Sequence, residues 1–244
     1  MKKNLNDSSS ECSFHPFYSE VLMPQATTLK PGQIRHLLRV TKVTSRHPER
    51  DTLVLLLGIT CGMRVSEIAQ IEVQDILLAG SGAIRPEVSL RAAITKGCRQ
   101  RCIYLAHRLT IEALETYLTY RIERGIGTEQ ADARYRGLSP KTKLILTHKG
   151  SKFYLNTKRR INFADEQVDY LACDSLQAHI TKLYKDAGIG GSSHSGRRSF
   201  ASNLLKQGHD LETVQLLGHA ELDHVMPYLE VSQKKLRDMF SAVI

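Results

Sequence analysis

Residues 52–71 read TLVLLLGITCGMRVSEIAQI. The apolar run at 53–59 predicts a central helix that ends near Gly62, because a helix that is hydrophobic on most sides must be buried. Arg64 follows that end, and a second helix is predicted to begin there and continue through Ile68. The stretch therefore predicts two consecutive helices joined at a glycine, with an arginine at the junction.

The remaining periodicity is mostly helical. The cleanest helical stripe covers residues 176–187 and stops at Gly188, as a glycine C-cap does. Residues 88–95 alternate with strand period, and a second strand is predicted at 102–105 after a basic turn at 96–100. We therefore predict a mainly α protein with a small antiparallel β-sheet, an α+β fold.

Composition restricts the classes of partner. The 244 residues contain 41% hydrophobic residues, which is ample for a buried core, and the net charge of +9 (34 Lys+Arg minus 25 Asp+Glu) favours a polyanionic partner such as nucleic acid. No apolar run is long enough to span a bilayer, so we expect no membrane association and a cytoplasmic location. The five cysteines lack zinc-site spacing, so we expect reduced thiols, no metal and no cofactor.

Five residues in three separate motifs suggest phosphate chemistry; they are Arg64, His194, Arg197, His219 and Tyr228. Guanidinium groups match phosphate oxygens bidentately and stay charged near neutral pH. Histidine can donate to a phosphate or exchange a proton there, and an activated phenol can act as a covalent nucleophile. Together they are the groups needed to attack a phosphodiester with a tyrosine.

Three of these residues also have an ordinary structural explanation. Arg64 could be a surface arginine that pairs with Glu67, since charged residues usually form a solvated face. Arg198 could take the phosphate-binding role in place of Arg197. A tyrosine in an apolar stretch, as Tyr228 is, is more often part of a core than a nucleophile.

Order and spacing resemble the tyrosine recombinase (phage integrase) family from about Thr28 to about Ser232. The matching motifs are Gly62-x-Arg64-x-Ser66-Glu67, His194-x-x-Arg197, and Leu217-Gly218-His219 followed by Tyr228 nine residues after the histidine. Lys96, in the predicted hairpin turn, resembles the β-hairpin lysine of the family. The family pattern selects Arg197 over its neighbour. The resemblance implies a catalytic set of Arg64, Lys96, His194, Arg197 and His219, with Tyr228 as the nucleophile.

The resemblance also implies a reaction. A site-specific DNA recombinase of the integrase, excisionase or invertase type would join Tyr228 to a 3′-phosphate without metal or cofactor and later transfer that phosphate to another strand. Double-stranded DNA would be the substrate, and a homotetramer the active assembly. The resemblance places such an enzyme in the bacterial cytoplasm, at the nucleoid when active, and associates it with mobile genetic elements.

Three segments are expected: a flexible N-terminal arm at 1–26, the catalytic domain at 27–232, and a C-terminal helix or tail for subunit contact at 233–244. Arg64 comes too early to leave room for an N-terminal core-binding domain, on the order of 100 residues, so an accessory DNA-binding protein is a possible partner. Two other functions stay open at this point. They are DNA relaxation by an enzyme resembling type IB topoisomerases, and a DNA-binding regulator with a dormant recombinase site.

Overall fold

A computed structural model describes residues 27–95, 100–161 and 166–207. The expected arm at 1–26 and the expected tail at 233–244 lie outside these residues. Within them, the elements in chain order are α1 (Pro31–Thr44), α2 (Pro48–Thr60), α3 (Val65–Gln70), α4 (Val73–Ile76), β1 (Glu87–Leu90), β2 (Arg101–Tyr104), α5 (Arg108–Glu123), β3 (Asn156–Ile161), β4 (Gln167–Ala172), α6 (Asp174–Asp186) and α7 (Ser195–Lys206). The prediction of a mainly helical fold with small antiparallel sheets is confirmed.

Helix α2 forms the centre of the core, as the apolar run predicted. It begins with Pro48, whose fixed φ and missing N–H suit the first helical position. Leu53 and Leu57 are fully buried, and the helix packs against α1, α5 and α7. Because α2 is covered on several sides, its C-terminal end has a well-defined position in the fold.

The predicted hairpin exists, but its first strand is shorter than expected. Strand β1 pairs with β2 in antiparallel register from Glu87 opposite Tyr104 to Leu90 opposite Arg101. Residues Ala92–Ile94 form a 3₁₀ turn, in which the Thr95 N–H donates to the Ala92 carbonyl at 3.1 Å. The alternation of apolar residues continues through this turn because Ile94 is still buried. This explains why the length of the first strand was overestimated. Residues 96–99 lie outside the described ones.

A second antiparallel pair was missed by the sequence analysis. Strands β3 and β4 pair from Asn156 opposite Ala172 to Ile161 opposite Gln167. The face that carries Arg159 and Asp169 is exposed, and the two side chains form an ion pair at 2.8 Å. None of the residues of β3 and β4 whose burial is described is buried, so the pair lacks the apolar alternation that identifies a half-buried strand. The fold thus has two small sheets instead of one.

Helices α6 and α7 complete the described fold. Leu176, Leu183 and Tyr184 lie on the buried side of α6, and Gly188 adopts φ 66° just after its end, as predicted for a C-cap. Helix α7 then packs on α2. Within the stretches that the structure describes, no helix has the length and apolar character that crossing a membrane requires.

Arg121 holds together the connection that follows α5. Its side chain is fully buried; Nε donates to the carbonyl of Ile126 at 3.2 Å, and Nη1 donates to the carbonyls of Lys143 and Leu144, both at 3.0 Å. Burial lowers the pKa of this guanidinium from its usual value. One side chain therefore ties two points of the segment between α5 and β3, near its start and at residues 143–144, to the helix.

Replacing Arg121 with leucine should destabilise the fold strongly. The Arg121→Leu variant leaves three carbonyl oxygens without their donor, and a single unsatisfied buried group costs about 1–3 kcal/mol. We therefore expect a decrease of about 3 kcal/mol or more in the free energy of unfolding, measured by urea denaturation. Arg108→Leu is the control, because Arg108 is exposed and makes only an i,i+4 pair with Glu112. Equal denaturation midpoints for the two variants would contradict the role of Arg121.

Candidate active site

A glycine turn ends α2 and begins the candidate site. Gly62 has φ 61°, a left-handed conformation that favours glycine, and the Met63 N–H donates back to the carbonyl of Leu57 at 3.2 Å. This hydrogen bond closes a turn one residue wider than that of a Schellman cap, in which the bond would reach Gly58. Arg64 follows in extended conformation and is the N-cap of α3. The sequence prediction of two helices joined at a glycine, with an arginine at the junction, is confirmed.

Glu67 is a fully buried carboxylate beneath this turn. Its Oε2 accepts from the backbone N–H of Arg64 at 2.7 Å, and its Oε1 accepts from Nη1 of the same arginine at 2.9 Å. The guanidinium of Arg101 donates to Oε2 at 2.5 Å through Nη2 and to Oε1 at 3.4 Å through Nε. The pairing of Arg64 with Glu67 is therefore real, but it is a buried interaction and not the surface pair considered above.

Arg197 reaches the same turn from α7. Its side chain is largely buried, and its Nη1 donates to the carbonyl oxygen of Gly62. Nη2 of Arg101 lies 3.5 Å from the same oxygen. Arg64 and Arg197, which are far apart in sequence, are thus brought together around Gly62 and Glu67.

A close approach of two helices sets the position of Arg197. A Cβ atom added to Gly196 would lie 3.2 Å from the carbonyl carbon of Gly58 in α2 and 3.3 Å from Cγ1 of Ile59. These distances are tighter than ordinary contacts, so α7 packs directly on the α2 backbone where a larger side chain would push it away. The glycine therefore allows the next residue, Arg197, to reach the end of α2.

His194 lies at the N-terminus of α7, one helical turn before Arg197. It is the N-cap residue and is exposed; its carbonyl accepts from the N–H of Arg198 at 3.0 Å. The preceding turn is fixed by the Ser192 N–H, which donates to Oγ of Ser195 at 2.9 Å. His194 is thus presented to solvent on the helix end that favours negative charge.

The buried centre carries an excess of positive charge. Among the residues that the structure describes, three guanidinium groups, from Arg64, Arg101 and Arg197, act on the one carboxylate of Glu67, so positive charge exceeds negative charge by two in this group of four. Burial alone would raise the pKa of Glu67, but Arg101, Arg64 and Arg197 outweigh it and hold that pKa below its usual range. The carboxylate is therefore ionised near neutral pH, and the surplus charge favours an anionic ligand such as a phosphate.

The structure describes half of the predicted catalytic residues. Lys96, His219 and Tyr228 lie outside the described residues and stay predictions. Sequence reasoning missed Glu67 as the centre of the site, and it missed Arg101 altogether. One signal was available for the second residue: Arg101, Ile103 and Leu105 share the inward period of a strand. An arginine at such a position needs a buried partner.

Comparisons with known proteins give a consistent result. The model of the phage integrase family matches residues 27–235. Tyrosine recombinase XerA of Pyrococcus horikoshii is 29% identical over 190 residues, which cover 78% of this chain and 53% of that protein. Tyrosine recombinase XerD of Staphylococcus haemolyticus is 27% identical over 210 residues, which cover 86% and 59%. The chain thus spans between half and three fifths of the length of these two relatives.

Solved structures agree in fold. The crystal structure of XerA recombinase superposes with a TM-score of 0.62 at 18% identity and covers 90% of this chain and 64% of that one. The XerH site-specific recombinase bound to a palindromic difH substrate, a post-cleavage complex, gives a TM-score of 0.60 at 20% identity with coverage of 88% and 52%. At these identities the likeness establishes the fold.

The lowered pKa of Glu67 predicts a pH-dependent stability. A carboxyl whose pKa is depressed on folding stabilises the fold above its ordinary pKa, near 4.5, and loses this contribution as the pH falls through the lowered value. Glu67→Gln removes the charge at every pH and leaves buried arginines without their partner, which should cost about 3 kcal/mol near pH 7. The stability gap between wild type and Glu67→Gln should then narrow below pH 4.5.

Urea denaturation at intervals between about pH 7 and pH 3 measures this gap. Glu112→Gln is the matched control, because Glu112 is exposed and pairs with Arg108 on the surface of α5. The free energy of unfolding of the control should differ little from that of wild type at any pH. A constant gap for Glu67→Gln across the whole range would mean that its ionisation does not contribute to stability.

Proposed function

This chain belongs to the phage integrase family, and we propose that it is a tyrosine site-specific recombinase that cuts and rejoins DNA through a 3′-phosphotyrosyl intermediate. One observation carries the proposal. Arg64 and Arg197, from the two separate arginine motifs, meet at the turn formed by Gly62 and share the electrostatic environment of Glu67. Two guanidinium groups at one point suit a phosphate, whose non-bridging oxygens gain charge in the transition state.

In the proposed cleavage step the phenol oxygen of Tyr228 attacks the scissile phosphorus. A phosphorus–oxygen bond forms to the tyrosine, the bond to the 5′-oxygen breaks, and the 3′-phosphate stays linked to the protein. His194 assists removal of the phenol proton, and Lys96 supplies the proton that the leaving 5′-oxygen takes up. The new ester conserves the energy of the broken bond, so a 5′-hydroxyl of another strand can reverse the step without an external energy source.

Arg64, Arg197 and His219 are proposed to stabilise the charge that develops on the non-bridging oxygens. The surroundings of Arg64 support this role, and the position of His194 supports an anion at the same site. The side chain of Arg64 is 17% exposed, so part of its guanidinium can reach a ligand while Nη1 stays bound to Glu67. His194 is exposed at the N-terminal end of α7, where the helix dipole favours an anion.

The proposed substrate is double-stranded DNA. The net charge of +9 and the excess of positive charge at the site support a polyanionic ligand. The relatives named above are tyrosine recombinases, which favours strand exchange over DNA relaxation or a purely regulatory role. We further propose action as a homotetramer on DNA of a mobile element in a bacterial cytoplasm, at the nucleoid.

Covalent capture tests the proposed nucleophile. The full chain is incubated with a library of nicked duplexes, in which loss of the short downstream strand prevents religation, and the covalent protein–DNA adducts are isolated and sequenced. Tyr228→Phe should abolish the adduct and leave DNA binding nearly unchanged, because only the attacking oxygen is lost. Tyr154→Phe is the matched control, since Tyr154 is 78% exposed and belongs to none of the three motifs.

An undiminished adduct in Tyr228→Phe would exclude this tyrosine as the nucleophile. No adduct from the wild-type protein with any duplex would contradict the proposed function itself. The captured sequence also provides a defined substrate. Joined ends from two different duplexes are expected for a recombinase, whereas loss of supercoils without exchange would indicate a relaxing enzyme.

Residues 233–244 are proposed to contact a neighbouring subunit. Leu236, Met239, Phe240 and Val243 fall at i, i+3, i+4 and i+7, which gives one apolar stripe if the segment is helical. Deleting 233–244 should lower tetramer assembly and strand exchange, measured by the mass of complexes on the captured duplex, and leave a monomer that still binds DNA. Unfolding of the truncated protein would instead assign the stripe to its own core, and normal strand exchange would exclude a role in assembly.

A further inference from the structure

Arg101 occupies an unusual position for an arginine. It points inward from β2, and its side chain is only 5% exposed. Nε and Nη2 both donate to Glu67, at 3.4 and 2.5 Å, and Nη2 also lies 3.5 Å from the carbonyl oxygen of Gly62. These contacts use much of the guanidinium fork inside the protein, so Arg101 is poorly placed to touch a substrate.

The two acceptors that Arg101 contacts are the ones that hold the proposed phosphate-binding arginines. Glu67 accepts from the backbone N–H and from Nη1 of Arg64. The carbonyl of Gly62 accepts from Nη1 of Arg197. Within the described part of the chain, Arg101 is thus a shared neighbour of both arginines through two different oxygen acceptors.

On these contacts, and resting on the proposed function, we propose that Arg101 is a positioning residue that fixes Arg64 and Arg197 for phosphate binding. Its two bonds to Glu67 restrict rotation of the carboxylate, which in turn orients the Arg64 guanidinium. Its charge also compensates Glu67 directly, so that the ionised carboxylate depends less on the charges of Arg64 and Arg197. Without Arg101, the buried carboxylate would have to draw on Arg64 and Arg197 for compensation.

The first test needs no DNA. In the full-length protein, ¹⁵N relaxation of the arginine Nε–Hε groups reports the order of each side chain. Arg101→Gln should lower the order of Arg64 and Arg197, and Arg101→Lys, which keeps the charge without the fork, should have a smaller effect. Arg91→Gln is the matched control, because Arg91 is 41% exposed and bridges Glu72 and Asp75 at 3.3 and 3.1 Å close to the same hairpin.

Unchanged order of Arg64 and Arg197 in the Arg101 variants would overturn the proposal. Thermal unfolding of each variant is measured in parallel. If Arg101→Gln does not fold, the order of Arg64 and Arg197 is compared between Arg101→Lys and wild type, because Arg101→Lys retains the positive charge beside Glu67.

The second test uses the duplex recovered by covalent capture. With an ordinary phosphate, Arg101→Gln should cleave about 10–100-fold more slowly than wild type. This is the range found when a side chain that orients a metal-binding residue is removed. A methylphosphonate at the scissile position carries no negative charge, so its cleavage depends less on correctly placed arginines. The deficit of Arg101→Gln should shrink on this substrate, as should those of Arg64→Lys and Arg197→Lys.

Equal deficits on both substrates would mean that Arg101 acts through stability or DNA binding, and would overturn the positioning role. Arg91→Gln should cleave both duplexes like wild type. Failure of the wild-type protein to form any adduct counts against the proposed function and not against this inference. The relaxation measurement then still decides whether Arg101 orders the two arginines.

Discussion

The buried charge of Glu67 is the constraint on which the described site depends. An ionised carboxylate is not tolerated inside a protein unless it is paired and hydrogen-bonded, so Glu67 requires its arginines as much as they require it. Its partners come from different parts of the chain. Arg64 precedes α3 and Arg101 lies on β2, and both donate hydrogen bonds to it, while the positive charge of Arg197 in α7 acts on it electrostatically. Satisfying one carboxylate therefore joins two helices and a strand at the end of the central helix.

The backbone contributes the second part of the same constraint. A left-handed residue ends α2, and the carbonyl oxygen of this residue, Gly62, is an acceptor for Arg197 and Arg101. Helix α7 can bring Arg197 that close because Gly196 faces Gly58 without a side chain between the two helices. The placement of one charged side chain thus follows from three glycines, none of which has a side chain of its own.

Local patterns in the sequence predicted the parts of the fold that depend on neighbouring residues. The apolar run at 53–59 predicted α2, and the glycine after it predicted where the helix ends. Strands β3 and β4 were missed because none of their residues with a described burial is buried, which leaves no clear apolar alternation. The pairing of β3 with β4 joins two separate segments, so it becomes visible only when the two strands are aligned with each other.

The candidate site shows the same contrast between local patterns, which the sequence reveals, and contacts between distant residues, which it does not. Motif spacing was enough to nominate Arg64, His194 and Arg197, but not the carboxylate and the third arginine that organise them. The pairing of Arg101 with Glu67 joins residues from separate elements, and each of them alone resembles an ordinary charged residue.

Burial distinguishes the two kinds of arginine once the fold is known. Arg101 is the more deeply buried of the two side chains that form ion pairs with Glu67, whereas Arg64 keeps part of its surface open and His194 is exposed. In the proposed reaction a phosphate approaching from solvent would meet the more open groups first, and the proposed role of the buried pair of Arg101 and Glu67 is to hold their geometry before the phosphate arrives. Such preorganisation avoids the cost of reorienting charged side chains during the reaction.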